Sequence, residues 1–263
     1  MSFLVVDNIE VVYQHAITAI QGVSIEVRKG QITALLGTNG AGKTTTLRAI
    51  SGFLGLDDAQ VTEGSIKFRG QNLENLPPYE ITRFGLSLVP EREKVFPNLT
   101  VAENLAVVPR NKSRSGRNME ELAYHFFPQI AELSSRTAGL LSGGERQMLA
   151  IAAGLICEPE ILLIDELSLG LSPVAVEMLA QSLKAIRDEL AISILLVEQS
   201  AQVALTIADY GYVIENGRVV LDGDTDRLLN HSDVQEFYLG RSGTDRRSYR
   251  DVKQYRRSRR WYG

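Results

Sequence analysis

Gly37-Thr-Asn-Gly-Ala-Gly-Lys43-Thr44 decides how the rest of the chain is read. The octapeptide fits GxxxxGK[ST] in full. It follows an apolar run at residues 31–36 and opens Thr45-Thr-Leu-Arg-Ala-Ile50, a stretch suited to the start of a helix. Strand, glycine loop and helix in that order are the context that a phosphate-binding loop requires. Gly37, Thr38, Asn39, Gly40, Ala41, Gly42, Lys43, Thr44 and Thr45 are therefore the expected nucleotide-binding residues. Gly40 and Gly42 let backbone amides approach phosphate oxygens, and the helix start adds positive potential. Lys43 is placed to neutralise β and γ charge, and the Thr44 hydroxyl to reach Mg²⁺. The rival reading is a glycine-rich turn that merely starts a helix, and the flanking strand and helix speak against it.

Three further apolar, β-rich runs, at residues 86–89, 161–164 and 192–197, are separated by helical stretches. This is the pattern of a parallel sheet buried on both faces, hence an α/β fold. Ligands of such sheets sit beyond the carboxyl ends of the strands. There the runs lead into the glycine loop, into Pro90 and Glu91, into Asp165 and Glu166, and into Glu198 and Gln199. Asp165 is expected to hold Mg²⁺ and Glu166 to orient or deprotonate the attacking water, the positioning on which phosphoryl transfer depends. A merely charged strand end is the alternative for this pair. Shorter alternating segments at residues 5–13, 23–27 and 65–68 predict an antiparallel sheet beside the parallel one. Residues 92–158 read as an inserted helical subdomain, interrupted by a polar, basic linker at 110–117.

Composition narrows the class. With 263 residues and 44% apolar content, the chain can bury a sizeable core. Cys157 is the only cysteine, so no internal disulfide forms and a reducing compartment, the cytoplasm, is expected. No apolar run approaches the roughly 20 residues of a membrane span, and residues 1–10 read as a first strand rather than a signal peptide. Residues 241–263 hold nine Lys or Arg against two Asp, a net +7 that leaves −11 for residues 1–240 within the total of −4. The acidic body argues against a nucleic-acid binder. The basic tail, interleaved with Tyr249, Tyr255, Trp261 and Tyr262, is expected to be disordered, with attachment to an anionic membrane surface as the sharper alternative.

A second candidate anion site is Leu141-Ser-Gly-Gly-Glu145, where Ser142 and Glu145 have capping-box spacing and Gly143 and Gly144 would bare the amides of a helix start. A well-capped helix and nothing more is the plainer reading. The order of GxxxxGKT, LSGGE and ILLIDE resembles the ABC ATPase family over residues 1 to about 240. That resemblance implies a RecA-like P-loop NTPase core of ABC ATPase type, with an antiparallel β subdomain and a helical subdomain carrying the signature. It implies ATP and Mg²⁺ as cofactors, and a head-to-tail pair in which Ser142, Gly143, Gly144 and Glu145 complete the partner's site. It further implies Tyr13 as the aromatic stacking on adenine, residues 168–172 as the loop after the catalytic glutamate, and Gln199 in the switch position. Glu91 is implied as a metal-site residue together with Thr44 and Asp165.

Within the family, Val89-Pro-Glu91, Asp165-Glu with Ser168-Leu-Gly-Leu-Ser-Pro173, Val197-Glu-Gln199 and Tyr212-Val-Ile-Glu-Asn-Gly217 resemble the ATP-binding subunits of branched-chain amino acid importers. The implied setting is the cytoplasmic face of the cell membrane, beside a second ATPase subunit, the same or different, and two membrane permeases. A periplasmic binding protein serves indirectly. Urea, amides or other small solutes are alternative cargoes. The chain departs from the wider family at Gln199, where a histidine is usual, and at Leu167, where proline normally follows the catalytic glutamate. A nucleotide-binding regulatory subunit with weak hydrolysis is therefore the second functional reading. A repair-type or ribosome-associated ATPase is disfavoured by the spacing of the motifs.

Overall fold

The computed structural model describes residues 2–92, 94–109 and 118–237. The basic linker at 110–117 and the tail at 241–263 lie outside the described residues. The chain opens with β1 (Ser2–Tyr13), β2 (Ile17–Arg28) and β3 (Ile32–Leu36), followed by α1 (Lys43–Ser51), β4 (Ala59–Phe68) and β5 (Gln71–Asn72). Then come α2 (Pro78–Phe84), β6 (Leu86–Val89), α3 (Val101–Ala106), α4 (Met119–Phe126), α5 (Pro128–Glu132) and α6 (Gly143–Ile156). The rest is β7 (Ile161–Asp165), α7 (Pro173–Leu190), β8 (Ser193–Glu198), α8 (Ala201–Ile207), β9 (Tyr210–Glu215), β10 (Arg218–Asp224), α9 (Thr225–Leu229) and α10 (Ser232–Phe237).

Two sheets form. The first, ordered β2-β1-β4-β5, is antiparallel, as the alternating segments predict. The second is ordered β10-β9-β3-β8-β7-β6. Its pairs from β9 through β6 are parallel, and β10 alone pairs antiparallel, on β9. Side chains on successive strand residues point to opposite faces, so a strand covered on both sides is apolar throughout. β7 shows this directly: Leu162 and Ile164 enter one core with α6 and α7, while Ile161 and Leu163 enter the other with β1, β2 and α1. β8 divides the same way, Ile194 and Leu196 against Leu195 and Val197.

The four apolar runs are β3, β6, β7 and β8, and β3 lies between β8 and β9. β9 and β10 were not read as strands from the sequence. They form a hairpin whose turn residues, Asn216 and Gly217, both have positive φ (48° and 72°), the Asn-Gly chemistry of a tight hairpin. Among the described residues, no helix is long and apolar enough to cross a membrane.

Candidate nucleotide site

The loop after β3 is fixed from behind. A Cβ at Gly37 would stand 2.4 Å from the Ile214 carbonyl on β9, so only glycine lets the chain leave the sheet here. The β9–β10 turn holds the loop's other side, with the Gly217 N–H donating to the Ala41 carbonyl (2.8 Å) and the Gln21 N–H to the Gly217 carbonyl (2.9 Å). Gly42 caps α1 at φ 106°, a left-handed conformation that needs glycine, and no side chain caps the helix. The first N–H groups of α1 thus keep their capacity to bind, and they open on the cavity with the positive end of the helix dipole behind them.

That cavity, about 410 Å³, is lined by Asn39, Gly40, Gly42, Lys43, Thr44, Thr45, Glu91 and Glu166, with Thr18, Ala19, Gln21 and Asn216 as its further wall. Gly37 and Ala41 are buried behind it. Lys43 is buried, and its Nζ donates to the Gly37 and Thr38 carbonyls (2.9 and 3.2 Å) and lies 3.7 Å from Glu166 Oε1. The Thr44 hydroxyl donates to Asp165 Oδ1 at 3.2 Å, across 121 positions of sequence. Asp165 is only 5% exposed. Burial lifts its carboxyl to about 6, the Glu166 and Glu91 carboxylates add to the rise, and the Thr44 hydroxyl and Lys43 oppose it.

These donors suit a hard divalent cation. A hydroxyl and carboxylates are the oxygen ligands Mg²⁺ prefers, and burial, with the nearby Glu166 and Glu91 carboxylates, makes ionised Asp165 costly in the absence of a cation. Thr44, Glu91 and Asp165 also line a second, adjoining cavity of about 630 Å³ with Leu47, Arg48 and Phe53.

Glu166 leaves β7 in a left-handed conformation (φ 56°) and is nearly buried. Its N–H donates to the Val197 carbonyl (3.0 Å), and its Oε2 accepts from the Gln199 N–H (3.3 Å). Gln199 therefore meets Glu166 through its backbone, while its side chain is exposed. Leu167 is buried in the core. Tyr13 lies at the end of β1 beside α1, its hydroxyl 3.4 Å from Thr45 Oγ1. Its ring packs partly on the core and is not among the cavity's walls.

Ser142, Gly143, Gly144 and Glu145 stand elsewhere: none lines either cavity. The capping box is complete, Ser142 Oγ accepting from the Glu145 N–H (3.2 Å) and Glu145 Oε2 from the Ser142 N–H (2.6 Å). The glycines also have a packing reason, since a Cβ at Gly143 or Gly144 would come within 3.1 Å of Leu171 or Ala175. α6 is tied to the segment after Glu91 by a hydrogen bond from Lys94 Nζ to Gln147 Oε1.

Residues 20–168 match the family model described as ABC transporter. The chain belongs to that family. The high-affinity branched-chain amino acid transport ATP-binding protein BraG of Pseudomonas aeruginosa is 40% identical over 229 residues, 87% of this chain and 96% of that protein. The probable branched-chain amino acid transport ATP-binding protein LivF of Archaeoglobus fulgidus is 37% identical, covering 83% of this chain and 91% of its own length. Among solved structures, the ADP conformation of an ATP-binding cassette of an ABC transporter superposes with a TM-score of 0.77 at 28% identity, over 91% of this chain and 99% of that one. The chain is an ABC-type ATPase with the P-loop NTPase fold of the family's cassettes.

The sequence reading missed two parts of this ABC site. One is the wall formed by Thr18, Ala19 and Gln21 on β2, hidden because residues 17–22 lack clean alternation. The other is Asn216, signalled by its Asn-Gly turn.

Proposed function

We propose that this chain is the ATP-hydrolysing subunit of an importer, with branched-chain amino acids as the cargo, working at the cytoplasmic face of the membrane against two permease subunits. The names of the BraG and LivF relatives support the cargo class. The observation that carries the residue-level reading is the meeting of Lys43 and Thr44, after β3, with Asp165 and Glu166, at the end of β7 two strands away: Lys43, Thr44 and Glu166 line one cavity, and the Thr44 hydroxyl bonds Asp165.

The amides of α1 and Lys43 bind the phosphates, which compete with two carbonyls and Glu166 for the same ammonium. Thr44 and Asp165 would hold Mg²⁺, with Glu91 beside them as a further oxygen acceptor, and the ion would supply positive charge against the phosphates. Glu166 accepts a proton from the attacking water or orients it. Tyr13 flanks the nucleotide from the α1 side. The Ser142–Glu145 cap, exposed at Ser142 and half-buried at the other three residues, faces a second ATPase subunit, of the same or another kind, and completes that subunit's site. A binding protein outside the membrane supplies the solute to the permeases.

A second reading, a nucleotide-sensing partner with little hydrolysis of its own, is favoured by one observation: Gln199 reaches Glu166 with its backbone and turns its side chain to solvent. The test is ATP turnover of the transporter complex carrying Glu166→Gln in this chain. A fall of about a hundredfold or more with ATP still bound is expected, in line with loss of a positioned proton acceptor. Turnover that barely changes would give hydrolysis to the companion subunit and this chain the sensing role.

A further inference from the structure

Glu198 is fully buried at the end of β8, and nothing in the proposed chemistry uses it. Its carboxylate takes both hydrogen bonds that Ser168 has to give: the Ser168 N–H donates to Oε1 (2.7 Å) and the Ser168 hydroxyl to Oε2 (3.0 Å). Between Ser168 and β7 lie only Leu167, sunk in the core, and Glu166, held at φ 56°. A non-glycine residue persists in that conformation only where its surroundings over-determine it. Here they do so by lacing the segment after β7 onto the end of β8 three times. Glu166 N–H bonds the Val197 carbonyl, Gln199 N–H bonds the Glu166 carboxylate, and Ser168 is clasped by Glu198. The first two can form at any loop conformation that keeps Glu166 near β8. The clasp fixes where the chain goes next.

We infer that Glu198 is a positioning residue for ATP hydrolysis, holding Ser168 so that Glu166 keeps the backbone conformation that aims its carboxylate into the Lys43 cavity. Burying a carboxylate for this purpose is costly. The burden is visible in its proton affinity, raised first by burial and then by the Glu166 carboxylate, with the Ser168 bonds and a bond from the Ser200 backbone N–H working against the rise. The same contacts set the start of residues 168–172, which lead directly into α7 through the Ser172 cap.

The inference rests on the reading of Glu166 as the group that handles the attacking water. Three variants of the full chain in its transporter complex separate the possibilities. Glu198→Gln keeps the clasp in neutral form, its Oε1 accepting from the Ser168 N–H and its Nε2 donating to the hydroxyl. Glu198→Met fills the same space without an acceptor, relieving a buried charge while leaving the Ser168 donors without their acceptor, and a denaturant melt of each variant checks that the fold is retained. Ser168→Ala removes one of the two bonds.

Glu198→Met is expected to lower kcat by about tenfold or more, with KM and Mg-ATP affinity changed by less than about twofold, because misplacement of a reacting group acts on the chemical step. Glu198→Gln stays within about threefold of wild type, and Ser168→Ala adds nothing to Glu198→Met, since both act through one contact. In the isolated full chain, hydrogen exchange at the Ser168 amide speeds up in the Met variant while the amides of β3 and β7 are unchanged.

Normal kcat in Glu198→Met, a loss confined to KM, or equal damage from Gln and Met each overturns the inference while leaving the Glu166 reading intact. Undiminished turnover in Glu166→Gln, measured alongside, would overturn that reading and this inference with it.

Discussion

Asp165 illustrates how a single residue can be poorly placed for stability and well placed for chemistry. Its carboxyl sits at about 6 in the folded chain against 3.8 for the ordinary group, chiefly through burial. The folded state therefore holds a proton that the unfolded state has released between these values, and stability falls as pH rises from about 4 to about 6. Above that window ionised Asp165 is a standing penalty on the order of 3 kcal/mol, at about 1.4 kcal/mol for each tenfold gain in proton affinity. Asp165→Asn, which keeps an oxygen for the Thr44 hydroxyl, is expected to unfold at higher denaturant than wild type at pH 7.5 and at a similar concentration at pH 4. Adding Mg²⁺ should stabilise wild type and leave the variant unmoved. Denaturant melts at the two pH values, with and without Mg²⁺, check both; a variant less stable than wild type at pH 7.5 would contradict the account. Asp165 and its neighbours could be picked out in the sequence because the apolar run before them is uninterrupted. Glu198 was placed on the same rim by its own apolar run, but its role was not legible, although it lies two positions past Leu196 and so on the same strand face: whether a strand-end carboxylate turns outward or is buried depends on Ser168, 30 positions away.

At the scale of elements, α6 separates a structural role from a functional one. Ser142 caps the helix through the Glu145 N–H, and Glu145 returns the bond, which satisfies two N–H groups that would otherwise be unpaired. Ser142→Ala is expected to lower the stability of the isolated chain by about 1 kcal/mol, the usual worth of such a cap. On the proposal that the cap also completes a second subunit's site, the same change should depress turnover of the assembled complex far beyond what that loss explains. A denaturant midpoint for the single chain and a rate for the complex distinguish the two. β3, β6, β7 and β8 were legible because strands buried on both faces are apolar without interruption. β10 was not, since an edge strand carrying Arg218, Asp222 and Asp224 has little apolar pattern to read. Yet the β9–β10 turn places Asn216 in the cavity wall and grips the phosphate loop through Gly217.

Over the whole molecule, the cap at Ser142–Glu145 and the cavity at Lys43 belong to different regions of one chain, with no shared lining residue. If each completes the other only between chains, activity per molecule should rise with concentration. ATP turnover of the purified chain is expected to grow roughly as the square of its concentration at low micromolar levels and to saturate once pairs form, or to need the companion subunit outright. A rate strictly proportional to concentration from nanomolar upward would instead make the single chain sufficient. The α/β architecture followed from four short apolar runs and one glycine loop. The closing of the site by β2 and the β9–β10 turn is a tertiary event, fixed by contacts such as Gly217 against Ala19 that no local pattern announces.

The pairing of β3 with β8 also governs when the protein becomes able to work. Ile32 lies beside Ile194, and the Gly30 N–H bonds a serine hydroxyl 163 positions further on. Contacts between residues so far apart along the chain form slowly, because a long loop must close before they repay its entropy. During synthesis, the complete GxxxxGKT sequence leaves the ribosome long before the strands that flank β3 and the turn that braces the loop. A growing chain therefore carries its phosphate motif with α1 able to pack on β2 and β4, but the loop gains its remaining braces only when β8 and β9 take their places on either side of β3.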